Sequence, residues 1–274
     1  MVPMVRLNDG HEMPTVGLGT YPMGDVEASH AVLTALQNGY RLIDTATRYG
    51  NETGVGQAIR ESGVPREEIF LTTKLPGADQ GYESTVESFE AARQRLDVEY
   101  VDLYLIHWPL PRVDHYVESF EAMLRLQEDG LIRSVGVSNF AAEHLRRVID
   151  GTGVVPVVNQ IELHPAFNQA MMREVNADLG IVTQAWSPLG RGTDLLDHPT
   201  VTAIADAHGV TAAQVILRWE VQLGAVPIPK SGDADRQAAN LDIFGFSLTD
   251  EEMTAVMAME SGRIGGDPDS HEEF

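Results

Sequence analysis

Short runs of β-branched and aliphatic residues alternate along this chain with longer stretches whose apolar positions recur every three to four residues. The short runs lie at 16–19, 41–44, 69–74, 101–107, 132–137, 157–163, 181–186 and 225–230. Their length and composition predict strands. The longer stretches include 26–37, 82–96, 116–127, 211–223 and 250–259. In 211–223, Ala212, Val215, Ile216, Trp219 and Leu223 fall at i, i+3, i+4, i+7 and i+11, one face of a helix. Thr211 with Gln214, and Thr249 with Glu252, have the spacing of a capping box at a helix start. Gly39, Gly63, Gly130, Gly151, Gly180, Gly209 and Gly224 predict helix stops.

Strands alternating with helices predict a parallel sheet. Eight such units in about 250 residues predict an α/β fold, a (β/α)8 TIM barrel, rather than an open doubly wound sheet. Asn8, Asp9 and Gly10 are turn residues between short apolar runs. They predict an N-terminal hairpin within residues 1–15 that plugs the bottom of the barrel. An extra helix over 250–259 follows the last unit. The Gly-, Pro- and acid-rich stretch 262–274 reads as a tail lying over the surface or partly mobile. No linker, low-complexity segment or repeat interrupts residues 1–274, so one barrel domain is expected.

Composition narrows the function classes. Nineteen basic against 41 acidic residues give a net charge of −22. That charge argues against nonspecific nucleic-acid binding and against an anionic membrane surface, and it reads as a solvating surface. No apolar run approaches the roughly 18 residues that span a bilayer. Residues 1–8 have no apolar core of a signal peptide, so a cytoplasmic protein is the default expectation. The absence of cysteine excludes disulfides, zinc–thiolate sites and a cysteine nucleophile. Only two of the basic residues are lysines, Lys74 and Lys230.

In a barrel of this kind the reacting groups stand at the C-terminal ends of strands. Here those ends carry Asp44 with Tyr49 close behind, Lys74, His107 with Trp108, Ser138 with Asn139, Asn159 with Gln160, Trp186 with Ser187, and Lys230 with Ser231. Lys74 beside Tyr49 is expected to favour the phenolate and lower the tyrosine below its usual ~10. Asp44 would keep the lysine charged in a poorly solvated place. Tyr49 then becomes a proton donor and His107 a hydrogen-bond partner for a carbonyl oxygen. Singly, each of these residues is more often packing or an ion pair, so the reading rests on their joint placement. The set holds no nucleophile, which leaves a hydride donor as the missing partner.

Three long segments then carry a family resemblance. GYRLIDTATRYGNETGVGQAI at 39–59, VEYVDLYLIHWP at 98–109 and IPKSGDADRQAAN at 228–240 resemble the signatures of the aldo-keto reductases. GVSNF, VVNQIELHPAF and WSPLG add to the likeness, which is strongest to the bacterial branch containing the 2,5-diketo-D-gluconate reductases. The resemblance implies a catalytic tetrad at Asp44, Tyr49, Lys74 and His107. It implies NADPH (NADP+) lying across the barrel mouth. Gly19, Thr20 and Asp44 would border the nicotinamide ribose, Trp186 would stack on the ring, and Ser138, Asn139 and Gln160 would bind its carboxamide. Ser187 and Leu189 would meet the pyrophosphate, and Lys230, Ser231, Arg236 and Asn240 the adenosine end. A monomer is implied.

No G-x-G-x-x-G follows a strand, so a Rossmann site is not expected. Lys230 and Arg236 could bracket a 2′-phosphate, which favours NADPH over NADH. This chain has Ala239 where the family it resembles often has Glu or Gln, so one implied adenine contact is missing, and Asp233 beside Gly232 places an acid near the phosphate site, so the expected preference is moderate. Tyr21 and Trp108, with Phe140, would wall an apolar substrate pocket in which Tyr49 and His107 meet the carbonyl. Arg191 would meet an acidic substrate or the pyrophosphate. Only 108–115 separates the fourth strand from its helix, so no lid grows there and an open, tolerant pocket is expected. The function expected is NADPH-dependent reduction of small carbonyls: keto-sugar acids such as 2,5-diketo-D-gluconate, aldehydes or dicarbonyls. A non-catalytic NADPH-binding regulatory subunit is the alternative. A metal-dependent barrel hydrolase would want a His-x-His pair, and the nine histidines form none, so no metal is expected.

Overall fold

The structure is a computed structural model describing residues 2–273. The end positions of the expected hairpin segment and tail, Met1 and Phe274, lie outside the described residues. A two-stranded antiparallel hairpin comes first, β1 (Met4–Arg6) with β2 (Glu12–Pro14). Eight parallel strands follow: β3 (Leu18–Gly19), β4 (Leu42–Asp44), β5 (Phe70–Leu75), β6 (Val101–Ile106), β7 (Ile132–Ser138), β8 (Val158–Glu162), β9 (Val182–Trp186) and β10 (Val226–Pro227). Each pairs with the next in chain order. The sheet closes on itself where Gly17 N–H donates to Pro227 O at 3.0 Å and Gly19 N–H to Pro229 O at 3.1 Å. Glycine is required at that seam. A Cβ on Gly19 would come within 2.7 Å of Ile228 O, closer than packed atoms allow. This is the (β/α)8 TIM barrel that the alternation predicts.

The helices are α1 (Asp25–Gln37), α2 (Glu52–Glu61), α3 (Tyr82–Leu96), α4 (Tyr116–Glu128), α5 (Ala142–Thr152), α6 (Ala170–Asp178), α7 (Pro199–His208), α8 (Ala212–Gln222), α9 (Ala234–Leu241) and α10 (Asp250–Met257). Both expected capping boxes form, at Thr211 and Thr249. One expected stop is displaced. Helix α5 runs through Gly151 and ends at Gly153, which takes the left-handed conformation with φ 71°. Gly151 has a different reason to be small, since a Cβ there would press on Val117 of α4.

Alternation along the strands decides what faces inward. Leu42, Phe70, Leu103, Leu105, Val158, Val226 and Ile228 fill the barrel with Leu7 and Met13 of the hairpin segment. The hairpin therefore plugs the bottom as expected. Ile43, Leu71, Tyr104 and Ile106 point outward into the helix layer. Continuing the inward parity in steps of two brings Asp44, Thr72 and Lys74, His107, Ser138, Gln160 and Trp186 to the opposite end. At the bottom, the buried carboxylate of Asp102 is held by Leu71 N–H, by Arg66 at 2.7 Å and by Arg133 at 3.2 Å, which offsets the cost of burying its charge.

Candidate active site

A cleft of about 730 Å3 occupies the C-terminal mouth of the barrel. At its base, Lys74 Nζ donates to Asp44 Oδ1 at 2.6 Å, to Thr45 O at 2.9 Å and to Tyr49 Oη at 3.4 Å. Lys74 and Asp44 are essentially sealed from solvent. Tyr49 and His107 stand edge to face, with ring centroids 5.7 Å apart. Tyr49 sits on a short 3-10 turn, Thr47–Tyr49, and Glu52 fixes this turn. Glu52 Oε1 accepts from Thr73 at 2.5 Å and from Thr47 at 3.3 Å, and Oε2 pairs with Arg95 at 2.7 Å. The tyrosine is thereby tied to the strand that carries Lys74. The sequence reading missed Glu52, although it lies inside the first motif.

The direction expected at Tyr49 is reversed. Burial raises the phenol well above its ordinary value, and the Asp44 and Glu273 carboxylates push the same way. In the resting site the Lys74 ammonium, already bonded to Asp44 and Thr45, does not offset these effects. Burial also pushes Lys74 down, with Asp44 acting against that. Tyr49 therefore keeps its proton at neutral pH.

Gly19, Thr20, Asp44, Ser138, Asn139, Gln160, Trp186, Ser187, Leu189 and Lys230 line this one cleft, as do Tyr21, Tyr49, His107, Trp108 and Arg191. A network fixes the polar members. Gln160 donates to Asp44 at 2.7 Å and to Gln184 at 2.6 Å. Ser138 donates to Gln160 O, Asn139 to His107 O, and Trp186 Nε1 to Asn139 at 2.8 Å. Asn139 and Ser187 stand just past β7 and β9 with φ of 62° and 51°, an uncommon conformation without glycine that is frequent at functional sites.

Three expected cofactor residues are not in the cleft wall. Ser231, Arg236 and Asn240 do not line it, although Lys230 does. Arg236 is exposed and its backbone is capped by Asp233, while Asn240 is buried. Lys230 is paired with Glu27 of α1 at 3.0 Å, a partner that the sequence reading missed. Phe140 does not wall the pocket. It is buried in the core against Tyr116 and His144, because the residue after Asn139 turns toward the helix layer.

The tail also departs from expectation. Ile264, Gly265, Gly266, His271, Glu272 and Glu273 line the cleft. Glu162, the last inward residue of β8, accepts from Ile264 N–H at 2.6 Å and Gly265 N–H at 2.8 Å. Burial pushes this carboxyl up, but those amides and His164 outweigh it and hold it below its ordinary value. Gly265 has no room for a Cβ against Trp186. His271 packs on Trp108 at 4.0 Å, and Glu273 reaches His107 Nδ1 at 2.7 Å. The 108–115 loop is short as expected, and the tail does the covering instead.

Comparison with known proteins agrees with this geometry. The model of the aldo/keto reductase family matches residues 15–260. The chain belongs to the aldo/keto reductase family. An aldo-keto reductase of Mycolicibacterium smegmatis is 53% identical to this reductase over 269 residues, covering 98% of each chain. The 2,5-diketo-D-gluconic acid reductase B of Corynebacterium sp. (strain SHS752001) is 46% identical over 274 residues, covering 100% of this chain and 99% of its own. Among solved structures, a Gox0644 mutant in complex with NADPH superposes with a TM-score of 0.95 at 44% identity, covering 99% of each chain.

Proposed function

We propose that this aldo/keto reductase reduces the carbonyl groups of aldehydes and ketones with NADPH, and that Tyr49 supplies the proton. The observation that carries this is the cluster at the base of the cleft, where a protonated phenol stands between a buried Lys74–Asp44 pair and His107. The donor set also fits a dinucleotide. The partly exposed Trp186 is held by Asn139 as a flat wall for a nicotinamide. Ser138, Asn139 and Gln160 are neighbouring partners for a carboxamide, and Lys230 is a cation for a phosphate at the far end of the cleft. A bound nicotinamide supplies hydride.

The chain's own residues do the rest. His107 and Tyr49 converge on the carbonyl oxygen. Tyr49 gives up its proton as charge develops there, and Lys74, 3.4 Å away, stabilises the phenolate left behind. Asp44 and Gln160 keep Lys74 aimed. Ser187, Leu189, Gly19 and Thr20 line the cofactor end, with Ser231, Arg236 and Asn240 as the outer contacts for the adenosine. Candidate substrates are keto-sugar acids such as 2,5-diketo-D-gluconate, small aldehydes and dicarbonyls. All of the proposed site comes from one chain, so the reading needs no second copy. NADPH oxidation with a nitrobenzaldehyde tests it. Consumption that a chelator does not affect supports the reading, and no consumption with any carbonyl favours the regulatory alternative.

A further inference from the structure

We propose that Glu273 sets the charge selectivity of the substrate pocket, so that the site accepts carbonyls with uncharged neighbouring groups and turns away a carbonyl whose own carbon bears a carboxylate, while a carbonyl remote from the carboxylate, such as C5 of 2,5-diketo-D-gluconate, is still accepted. The inference rests on reading Tyr49 and His107 as the pair that meets the carbonyl oxygen. One Glu273 oxygen lies 2.7 Å from His107 Nδ1, and the other accepts from Gly77 N–H at 3.0 Å. The residue is only 7% exposed, so water and salt screen its charge weakly. It is held there from several sides. Glu162 binds the amides of Ile264 and Gly265, Arg112 pairs with Glu272 at 2.7 Å, and His271 packs on Trp108. Its charge is felt at the reacting centre, since it helps to hold the Tyr49 phenol above its ordinary value.

Arg191, Tyr21, Tyr49, His107 and Glu273 follow one another across the pocket. The Arg191 guanidinium lies 4.7 Å from the Tyr21 ring centroid, Tyr21 and Tyr49 are 5.0 Å apart, and Tyr49 and His107 are 5.7 Å apart. In this chain of contacts the cation touches the Tyr21 side of Tyr49 and the anion touches His107. A carboxylate bonded directly to the reacting carbon stays beside His107 and the Glu273 charge. The Arg191 guanidinium also acts on the Tyr49 phenol, in the opposite sense to Glu273, but it lies over the Tyr21 ring, where a carboxylate several bonds from the carbonyl can turn toward it. The pocket therefore distinguishes where a substrate carries its negative charge, not only whether it carries one.

Two matched pairs test this with NADPH as cofactor. Phenylglyoxylate and its methyl ester differ in charge next to the carbonyl. 4-Carboxybenzaldehyde and 4-nitrobenzaldehyde differ in charge far from it. In the native protein kcat/KM is expected to favour the ester strongly over the acid. Glu273→Gln should lower that ester-to-acid ratio at least tenfold, about 1.4 kcal/mol, while the ratio for the remote pair moves less than threefold. Glu273→Asp, which keeps the charge, should retain the native ratio. A Glu273→Gln ratio within twofold of native, or an equal loss on ester and acid, overturns the proposal and leaves Glu273 as a clasp for the tail. If the native protein reduces none of the four compounds, the carbonyl-reductase reading itself fails.

Discussion

Lys74 spends its shortest hydrogen bond, 2.6 Å, on Asp44 and reaches Tyr49 only at 3.4 Å. The buried ammonium is neutralised before it meets the phenol, so desolvation and the nearby carboxylates govern the tyrosine. A group whose acid form is favoured above its ordinary value stays protonated through neutrality. We expect kcat for carbonyl reduction to stay level from pH 6 toward the ordinary phenol value of ~10. A fall centred near pH 8, measured by steady-state kinetics, would mean that Lys74 does depress Tyr49.

On the proposed reading, cofactor preference is set at the Lys230 end of the cleft. Lys230 is the cation there, and Glu27 already occupies it at 3.0 Å. Lys230→Met should weaken NADPH binding about tenfold, the scale of a charge-assisted hydrogen bond, and leave NADH within about twofold. Glu27→Gln should tighten NADPH severalfold by freeing the ammonium. Fluorescence titration with both cofactors measures this. Equal changes for NADPH and NADH would remove Lys230 from 2′-phosphate recognition.

Arg191 is exposed, lines the cleft and stacks on Tyr21. Arg191→Ala should raise KM for an acid with a remote carboxylate at least fivefold more than for a neutral aldehyde, because only the acid loses a charge partner. Equal KM effects on the two would reject that role.

Much of this molecule is legible in its sequence. Strand–helix alternation gave the barrel, and inward parity from Leu42, Phe70, Leu103 and Val158 leads directly to Asp44, Lys74, His107 and Gln160. The Thr211 and Thr249 capping boxes are local rules that tertiary context left alone. The exceptions share a cause, namely contacts distant in sequence. Nothing local marks Glu273, one of 41 acidic residues, as the one that folds back onto His107. Glu27 is 203 positions from Lys230. Phe140 belongs to the core because Tyr116 and His144 are there. Gly151 is small for Val117, while the left-handed stop falls two residues later. The Tyr49 direction failed because residue types alone do not say how far a lysine's charge has already been satisfied.

Glu220 is a feature that catalysis does not explain. It is 0% exposed in α8, and neither carboxyl oxygen has a hydrogen-bond partner among the described residues. Burial drives it well above its ordinary value, so it is held protonated. The sign follows from that direction. Below the unfolded value of ~4.3 the carboxyl is protonated in both states and its burial costs least; above it the folded state must keep a proton that the unfolded chain releases, so stability falls as pH rises, by up to about 1.4 kcal/mol per pH unit. Glu220→Met should therefore raise Tm by several degrees, at roughly 2–4 °C per kcal/mol for a chain of this size, and by more at pH 8 than at pH 5. A lower Tm in Glu220→Met, or a gain independent of pH by calorimetry, would contradict this.

The central claim is that the Tyr49 hydroxyl is the proton donor of an NADPH-dependent carbonyl reduction. Its most direct test is Tyr49→Phe, which removes one oxygen and leaves the ring against Tyr21 and His107. Rates of NADPH oxidation with 4-nitrobenzaldehyde should fall by about 10²- to 10⁴-fold, the range for a lost general acid, while the Kd for NADPH stays within a few-fold of native. A Tyr49→Phe protein that still turns over within tenfold of native would contradict the account.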